Sequence, residues 1–95
     1  MFEKVEILST QEKNMKPIGK VIHYYDKIGV AIIELRSGLK IGDRVRIERD
    51  EKGFEEEVKS MQVEHKDVKK AKKGDLVGIE VSERPKNHAI VYLLE

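Results

Sequence analysis

Short runs of alternating apolar and polar residues follow one another along the chain, separated by turns that contain glycine. Alternation with a period of two is typical of β-strands that bury one face. In residues 43–49, Val45 and Ile47 alternate with charged side chains, and residues 76–81 repeat the pattern. A Gly-Asp pair introduces each of these runs. The pattern therefore predicts a small all-β protein.

Turn residues between the runs predict two hairpins. Residues 26–29 end in Gly29, which can adopt the positive φ that a tight connection often requires. The run at 30–35 then returns as the antiparallel partner of the preceding strand. A polar loop at 50–53 joins the strand at 43–49 to the strand that follows it.

The strand after this second loop changes its pattern along its length. Phe54 and Val58 share one parity, whereas Met61 and Val63 share the other. We therefore expect a β-bulge near residues 59–60, because an extra residue restores the inward direction of both pairs. Such a bulge also bends the strand and allows a small sheet to close into a barrel.

The lysine-rich segment before the second Gly-Asp pair contains only two apolar side chains, Val68 and Ala71. Their spacing of three predicts one short helical turn near residues 67–73, packed on the sheet with its lysines outside. Strands at 76–81 and 89–94 follow. The sequence thus predicts six principal strands.

A proline marks the expected start of the domain. Pro17 cannot donate a hydrogen bond to a strand ladder, so we expect residues 17–95 to form the β-barrel. Residues 1–16 are then an N-terminal arm or an edge strand, in which Val5 and Ile7 keep the period of two.

Composition narrows the class of protein without suggesting a partner. The 95 residues suit one domain, and 19 Lys and Arg residues nearly balance 18 Asp and Glu residues. Cysteine is absent, which fits a reducing compartment. No run is apolar enough for a membrane span or a signal peptide, so we expect a cytoplasmic protein. The abundance of Lys and Glu over Asn and Gln resembles proteins from hot environments.

Four motifs occur in one order: a glycine-bearing hairpin, L-x-x-G-D at 39–43, V-x-S-M-Q at 58–62 and A-x-x-G-D-x-V-G at 71–78. Together they resemble the second domain of translation elongation factors such as elongation factor Tu. The segment VKSMQVEHK is also similar to small stand-alone elongation-factor-like proteins and to the barrel appended to collagenase-like peptidases. In one respect the chain departs from the family, because Asn87-His88 replaces the usual Gly-Asp before the last strand.

The resemblance implies a six-stranded, Greek-key-like closed β-barrel of the translation-factor type. It implies a non-catalytic binding module that engages transfer RNA, ribosomal RNA or a ribonucleoprotein in translation. The sequence contains no P-loop, so no GTP binding by this chain is expected. The alternative is a protein-interaction barrel that acts in trans with a catalytic partner such as a collagenase-like peptidase.

Residue chemistry gives little support for catalysis or metal binding. The three histidines, His23, His65 and His88, fall in a strand, at a loop edge and in a turn, without the spacing of a metal site. The serines lie in plain turn or strand contexts without an adjacent base. We therefore predict no enzymatic activity, no metal and no cofactor.

Basic residues form the first group of candidates for nucleic-acid binding. The cluster comprises Lys66, Lys69, Lys70, Lys72 and Lys73. These side chains could hold a phosphate backbone, with Arg44, Arg46 and Arg49 as a second basic stripe. A lysine-rich surface that only keeps the protein soluble is the other interpretation.

Aromatic and basic residues form the second group. Tyr24 and Tyr25 are neighbours on a strand, so one of them should point outward and could stack on an unpaired base. The remaining members are His23, Lys27, Arg84, Lys86 and His88. The alternative is that the tyrosine rings simply pack on the rim of the barrel with their hydroxyls in water.

Overall fold

A computed structural model describes residues 15–94, which form ten β-strands and no helix. The strands are β1 (Met15–Tyr25), β2 (Val30–Leu35), β3 (Leu39–Lys40), β4 (Arg44–Arg49), β5 (Lys52–Glu57), β6 (Met61–Val63), β7 (Lys66–Val68), β8 (Lys70–Ala71), β9 (Leu76–Glu80) and β10 (Ile90–Leu94). The predicted all-β class is therefore confirmed. Most of the predicted arm at 1–16 lies outside the described residues, and the boundary at Pro17 stays a prediction.

Eight strands form one antiparallel sheet in the order β5-β4-β10-β1-β2-β9-β6-β7, and β3 pairs with β8 in a second, small sheet. The strands β5 and β7 lie at opposite edges of the large sheet, and within residues 15–94 no ladder joins them. A closed barrel is therefore not confirmed. The predicted count of six strands was also too low, because short strands interrupt the connections.

Backbone bonds outside the ladder link the two sides of the sheet. Ile41 N donates to Lys69 O at 3.0 Å, next to the β3–β8 pair, which connects the turn before β4 with the chain that follows β7. This bond joins segments next to β4 and β7, without a ladder between the edge strands β5 and β7 within residues 15–94.

The core consists mainly of inward-facing side chains of the strands, and among residues 15–94 none of the buried side chains is polar or charged. Its members are Ile18, Val21, Ala31, Ile33, Leu35, Leu39, Val45, Ile47, Phe54, Val58, Met61, Val77, Ile79, Ala89 and Val91. The predicted inward positions Val45, Ile47, Val77 and Ile79 are all buried, which confirms the alternation along β4 and β9.

Both predicted hairpins are present. Gly29 adopts φ +66° in the four-residue turn between β1 and β2, as expected. The turn between β4 and β5 is shorter than predicted, because Asp50 and Glu51 alone form it, with φ of 57° and 67°. Gly53 belongs to β5.

The change of register after Phe54 is confirmed, but its form differs from a bulge. β5 ends at Glu57 and pairs with β4, whereas β6 begins at Met61 and pairs with β9. The chain therefore crosses from one part of the sheet to another. Val58 remains buried at the crossing.

The predicted helical turn at 67–73 is wrong, because strands β7 and β8 occupy this segment. Glu64 and His65 adopt positive φ and fold the chain back, so that Val68 lies opposite Met61. Ala71 lies opposite Leu39 in the small sheet. A spacing of three between apolar residues thus fits two short strands joined by a bend at residue 69.

The strand β1 contains an irregularity that its residues did not reveal. The register of β1 with β2 shifts between Val21 and His23. After this shift, Tyr24 packs against the core, and Ile22 is 39% exposed. The expectation that one tyrosine points outward is confirmed by Tyr25, which is 49% exposed.

Candidate functional site

The two Gly-Asp turns have the same geometry. Gly42 and Gly74 adopt φ of +97° and +94°, values that only glycine adopts without strain. In each turn the aspartate, Asp43 or Asp75, accepts a hydrogen bond at 3.0 Å from the backbone N–H three residues earlier. Residues of the same type therefore build the same turn twice.

In each turn, a buried residue on a neighbouring segment forms two backbone hydrogen bonds with the glycine and the aspartate. Val58 accepts from Gly42 N and donates to Asp43 O, both at 2.8 Å. Leu35 makes the same bonds to the glycine and the aspartate of the second turn, at 2.9 and 3.0 Å. Both carboxylates hold their turns together, which gives these aspartates a structural role.

The lysine cluster surrounds this end of the molecule. All five lysines are exposed, and Lys72 and Lys73 belong to the second Gly-Asp turn. Because that turn bonds to Leu35, these lysines lie at the opposite end of β2 from Tyr25 and the first hairpin. The six residues of β2 separate the two ends by roughly 17–20 Å. The two groups of candidates therefore do not form one surface.

An open groove at the other end brings part of the second group together. It is lined by His23, Tyr24, Arg84, Pro85, Lys86 and Asn87. Four predicted residues, the Tyr24 ring with His23, Arg84 and Lys86, thus meet at the rim between β1 and the loop before β10. We call this the rim groove.

Contacts between aromatic and basic side chains order the rim groove. The guanidinium carbon of Arg84 lies 5.5 Å from the centre of the Tyr24 ring, within the range of a cation–π contact. Asp26 lies 3.7 Å from the same guanidinium group. The His23 ring meets Tyr25 edge-on, with ring centres 4.4 Å apart.

Three contacts fix the loop that forms the far wall of the groove. Arg49 Nη1 donates to Asn87 O, and His88 N donates to Val21 O at 3.0 Å. At the start of the loop, Ser82 donates through both its N–H and its hydroxyl to Glu56 at 2.9 Å. The wall is therefore attached to β1, β4 and β5.

The remaining predicted residues lie away from the rim groove. Lys27 is exposed in the first hairpin turn, and Tyr25 faces a different groove. His88 adopts φ +66° and contributes its backbone to the loop. The arginine stripe contacts carboxylates instead of standing free, as in the 2.8 Å bond from Arg46 to Glu48.

A second exposed feature was missed from the sequence. Tyr25, Ile28 and Leu76 are 49%, 65% and 50% exposed, and they line one groove with Val30, Ile32 and Gly78. We call this surface of β1, β2 and β9 the apolar face. The sequence pattern that could have predicted this face is the presence of apolar residues on both faces of β1 and β2, together with Leu76 at an outward position of β9.

Within residues 15–94, no group of three or more His, Asp or Glu side chains is placed to hold a metal ion. The described part of the chain also has no helix that is long and apolar enough to cross a membrane.

Sequence comparison relates the chain to part of a larger protein. No protein-family model matches it. Over 79 residues, or 82% of this chain, it is 48% identical to an uncharacterized protease of Methanocaldococcus jannaschii. The chain spans only 19% of that relative's length.

Structure comparison identifies the class of fold. The C-terminal domain of a Geobacillus thermoleovorans protein assigned to the U32 peptidases matches with a TM-score of 0.78 and 18% identity, over 84% of this chain and 93% of that domain. Its selenomethionine variant matches with a TM-score of 0.73 and 21% identity, over 82% and 98%. The fold is thus that of a β-domain seen at the C-terminus of a U32 peptidase.

These matches decide between the two expected resemblances. The likeness to the barrel appended to collagenase-like peptidases is confirmed, by sequence with the protease and by fold with the U32 domain. None of these relatives is a translation factor, so the likeness to elongation factor Tu is not supported.

Proposed function

We propose that this chain is a non-catalytic interaction domain that works with a catalytic unit of the U32 peptidase family. The observation that carries the proposal is the 48% identity to a segment that makes up 19% of a protease. The fold agrees, because its structural neighbour is a C-terminal domain of a U32 peptidase.

In this proposal, the U32 peptidase partner carries out peptide cleavage, and this chain contributes no catalytic residue. This chain contains no cysteine, and its histidines lie in β1 and in two separate turns. Nucleophilic catalysis needs a nucleophile, a base and an orienting group within hydrogen-bond reach. The chain contributes binding surfaces: the rim groove and the apolar face.

Purified components test this proposal. The full chain is mixed with the catalytic part of a U32 peptidase from the same organism, and the mass of the mixture is measured by light scattering after gel filtration. We expect a complex with the summed mass of the two proteins, and no peptide cleavage by this chain alone. Separate elution at every concentration, or cleavage by the isolated chain, would contradict the proposal.

RNA binding is the second candidate function, and the rim groove favours it. His23, Arg84 and Lys86 stand beside Tyr24 there, and basic groups beside an aromatic ring are typical of surfaces for single-stranded RNA. This candidate retains the predicted engagement of transfer RNA in translation as a function of the domain itself.

Salt dependence tests the RNA candidate. Labelled transfer RNA is titrated with the full chain at several salt concentrations. Contacts to phosphates release counterions, so the affinity should fall steeply as salt rises. Absence of binding at low salt would exclude this candidate, and binding without a salt slope would exclude phosphate contacts as its basis.

A further inference from the structure

The apolar face occupies the outer side of three adjacent strands. In the register of the sheet, Tyr25 lies opposite Val30, and Ile32 lies opposite Gly78. These positions alternate with the buried residues of the same strands, so their side chains point away from the core. The face adds a second apolar layer, and within the described residues it has no protein cover.

The centre of the apolar face is recessed relative to its two ends. A Cβ atom at Gly78 would lie 3.2 Å from Val30 and 3.4 Å from Ile32, so these two side chains lie over the glycine. Ile28 and Leu76 stand at the two sides of this centre, and 65% and 50% of their surface is exposed. The groove between them fits an apolar side chain of a partner.

Carboxylates line one flank of the face. Glu80 lies two residues beyond Gly78 on the same side of β9, Glu64 lines the groove, and Asp67 lies opposite Gln62 on β7. None of these three carboxylates forms an ion pair with another of the residues 15–94. Asp67 accepts a hydrogen bond from Gln62 Nε2 at 3.1 Å, so this flank presents three carboxylates outside any ion pair of the described residues.

Basic residues near the face lie elsewhere. Lys20 lies opposite Glu34 across β1 and β2, and Lys27 belongs to the first hairpin turn. His65 lines the groove beside Glu64. Lys66 precedes Asp67 on β7 and is exposed, but it lies opposite Val63, which packs against the core. The outward positions of β6, β7 and β9 therefore hold no lysine or arginine within residues 15–94.

We infer that the apolar face is the surface by which this domain docks on the catalytic unit of a U32 peptidase. This inference rests on the proposed function. The matching surface of the partner presents an apolar side chain to the groove between Ile28 and Leu76. Lysine or arginine residues beside it face the flank of Glu64, Asp67 and Glu80.

Two features favour this occupant. In the Methanocaldococcus relative, the matching segment is joined to the rest of a protease, so a larger body adjoins the domain there. Charge complementarity gives the second argument, because an acidic flank next to an apolar centre selects a partner with the opposite charge. Self-association through the same face is an alternative that the test below separates.

Binding measurements with single substitutions test the assignment. Calorimetry measures the affinity of the full chain for the catalytic part of a U32 peptidase from the same organism. Leu76→Ser and Ile28→Ser should each weaken the complex at least about tenfold, because they remove apolar contacts at the centre of the interface. Ile41→Ser is the matched control, because Ile41 is 40% exposed in a different groove.

Charge reversal adds an independent readout. Glu80→Lys, combined with Glu64→Lys, should slow association and reduce its salt dependence, because rim charges act mainly on the association rate. Both residues are exposed, so the thermal midpoint of the free domain should change little.

Each outcome decides a different part of the account. If Leu76→Ser and Ile28→Ser weaken the complex and Ile41→Ser leaves it unchanged, the apolar face is supported as the docking surface. A complex that tolerates all three substitutions contradicts the assignment of the apolar face as the docking surface, and leaves the proposed function intact. No complex at all overturns both. A dimer of this chain that the Leu76 and Ile28 substitutions dissolve overturns the assignment of the apolar face to the peptidase.

Discussion

The end of the molecule with the Gly-Asp turns and the end with the rim groove use polar residues in opposite ways. At the first end, Asp43 and Asp75 bond to backbone N–H groups of their own turns. At the rim, Arg84 contacts the Tyr24 ring and forms an ion pair with Asp26 at 3.7 Å, and both charged side chains are exposed. Polar groups at the turns are thus committed to folding, whereas those at the rim are available to a ligand.

In this small β-domain, the most distinctive sequence motif and the candidate binding residues lie in different places. The Gly-Asp motifs are the most distinctive feature of the sequence, and the structure explains them as turns that introduce β4 and β9. The rim residues form no motif, because they come from β1 and from a loop about sixty positions later in the chain. A distinctive motif can therefore be purely architectural.

The largest expected effect is a loss of stability when the aspartates of the Gly-Asp turns are replaced. Asp43→Ala and Asp75→Ala should each lower the free energy of unfolding by about 1–2 kcal/mol, since each removes a charge-assisted bond to a turn N–H. The double variant should lose about 2–4 kcal/mol if the two turns act independently. Urea denaturation measures the change. A matched pair at the rim, Arg84→Ala with Lys86→Ala, should lose less than about 0.5 kcal/mol, and equal losses would remove the distinction.

RNA binding should depend on the rim residues more than on residues at the end with the Gly-Asp turns. If the rim groove binds RNA, Arg84→Ala with Lys86→Ala should weaken transfer RNA binding about tenfold at low salt, and lower the salt slope by about two. Lys72→Ala with Lys73→Ala is the control at the other end of the molecule. Fluorescence titration measures both pairs, and a loss confined to the Lys72 and Lys73 pair would assign any RNA contact to the lysine cluster.

Alanine in place of the turn glycines isolates the backbone contribution. A Cβ atom at Gly42 or Gly74 would meet nothing within 4 Å, so only the positive φ is affected. Gly42→Ala and Gly74→Ala should therefore cost the same, about 1 kcal/mol each. Gly38 is the control: it is not in the positive-φ region, and its Cβ would be in ordinary contact. Unequal costs for the two turns would contradict their equivalence.

The smallest expected effect is a gain in stability. His65 adopts φ +67° in the hairpin between β6 and β7, without the glycine that the Gly-Asp turns use. His65→Gly relieves this strain and should raise the free energy of unfolding by about 0.5 kcal/mol after the entropic cost of glycine. Lys66→Gly, within the strand β7, should instead destabilise the protein. A loss of stability in His65→Gly would show that the side chain contributes contacts of its own.

Local patterns predicted the parts of the fold that depend on local residues. Alternation gave the inward faces of β4 and β9, and turn residues gave both long hairpins. The helical turn was wrong because Val68 and Ala71 pack against Met61 and Leu39, partners that local spacing does not reveal. Closure of the sheet likewise depends on contacts between distant segments.

The candidate site was only partly predictable for the same reason. His23, Tyr24, Arg84 and Lys86 were chosen by residue type, and the fold brings them together. The irregularity between Val21 and His23 decided which tyrosine points outward, because one extra residue reverses the direction of later side chains. The apolar face was missed because outward apolar residues are individually ordinary, and only the register places them side by side.

Isolation of the intact domain from its native cell extract tests whether it binds a U32 peptidase through the apolar face. The tagged full chain and its Leu76→Ser variant are recovered in parallel, and the bound proteins and RNA are identified together. We predict that a U32 peptidase-family protein is enriched with the unmodified chain and depleted with the variant. Recovery of RNA alone, with no such protein, would contradict the account.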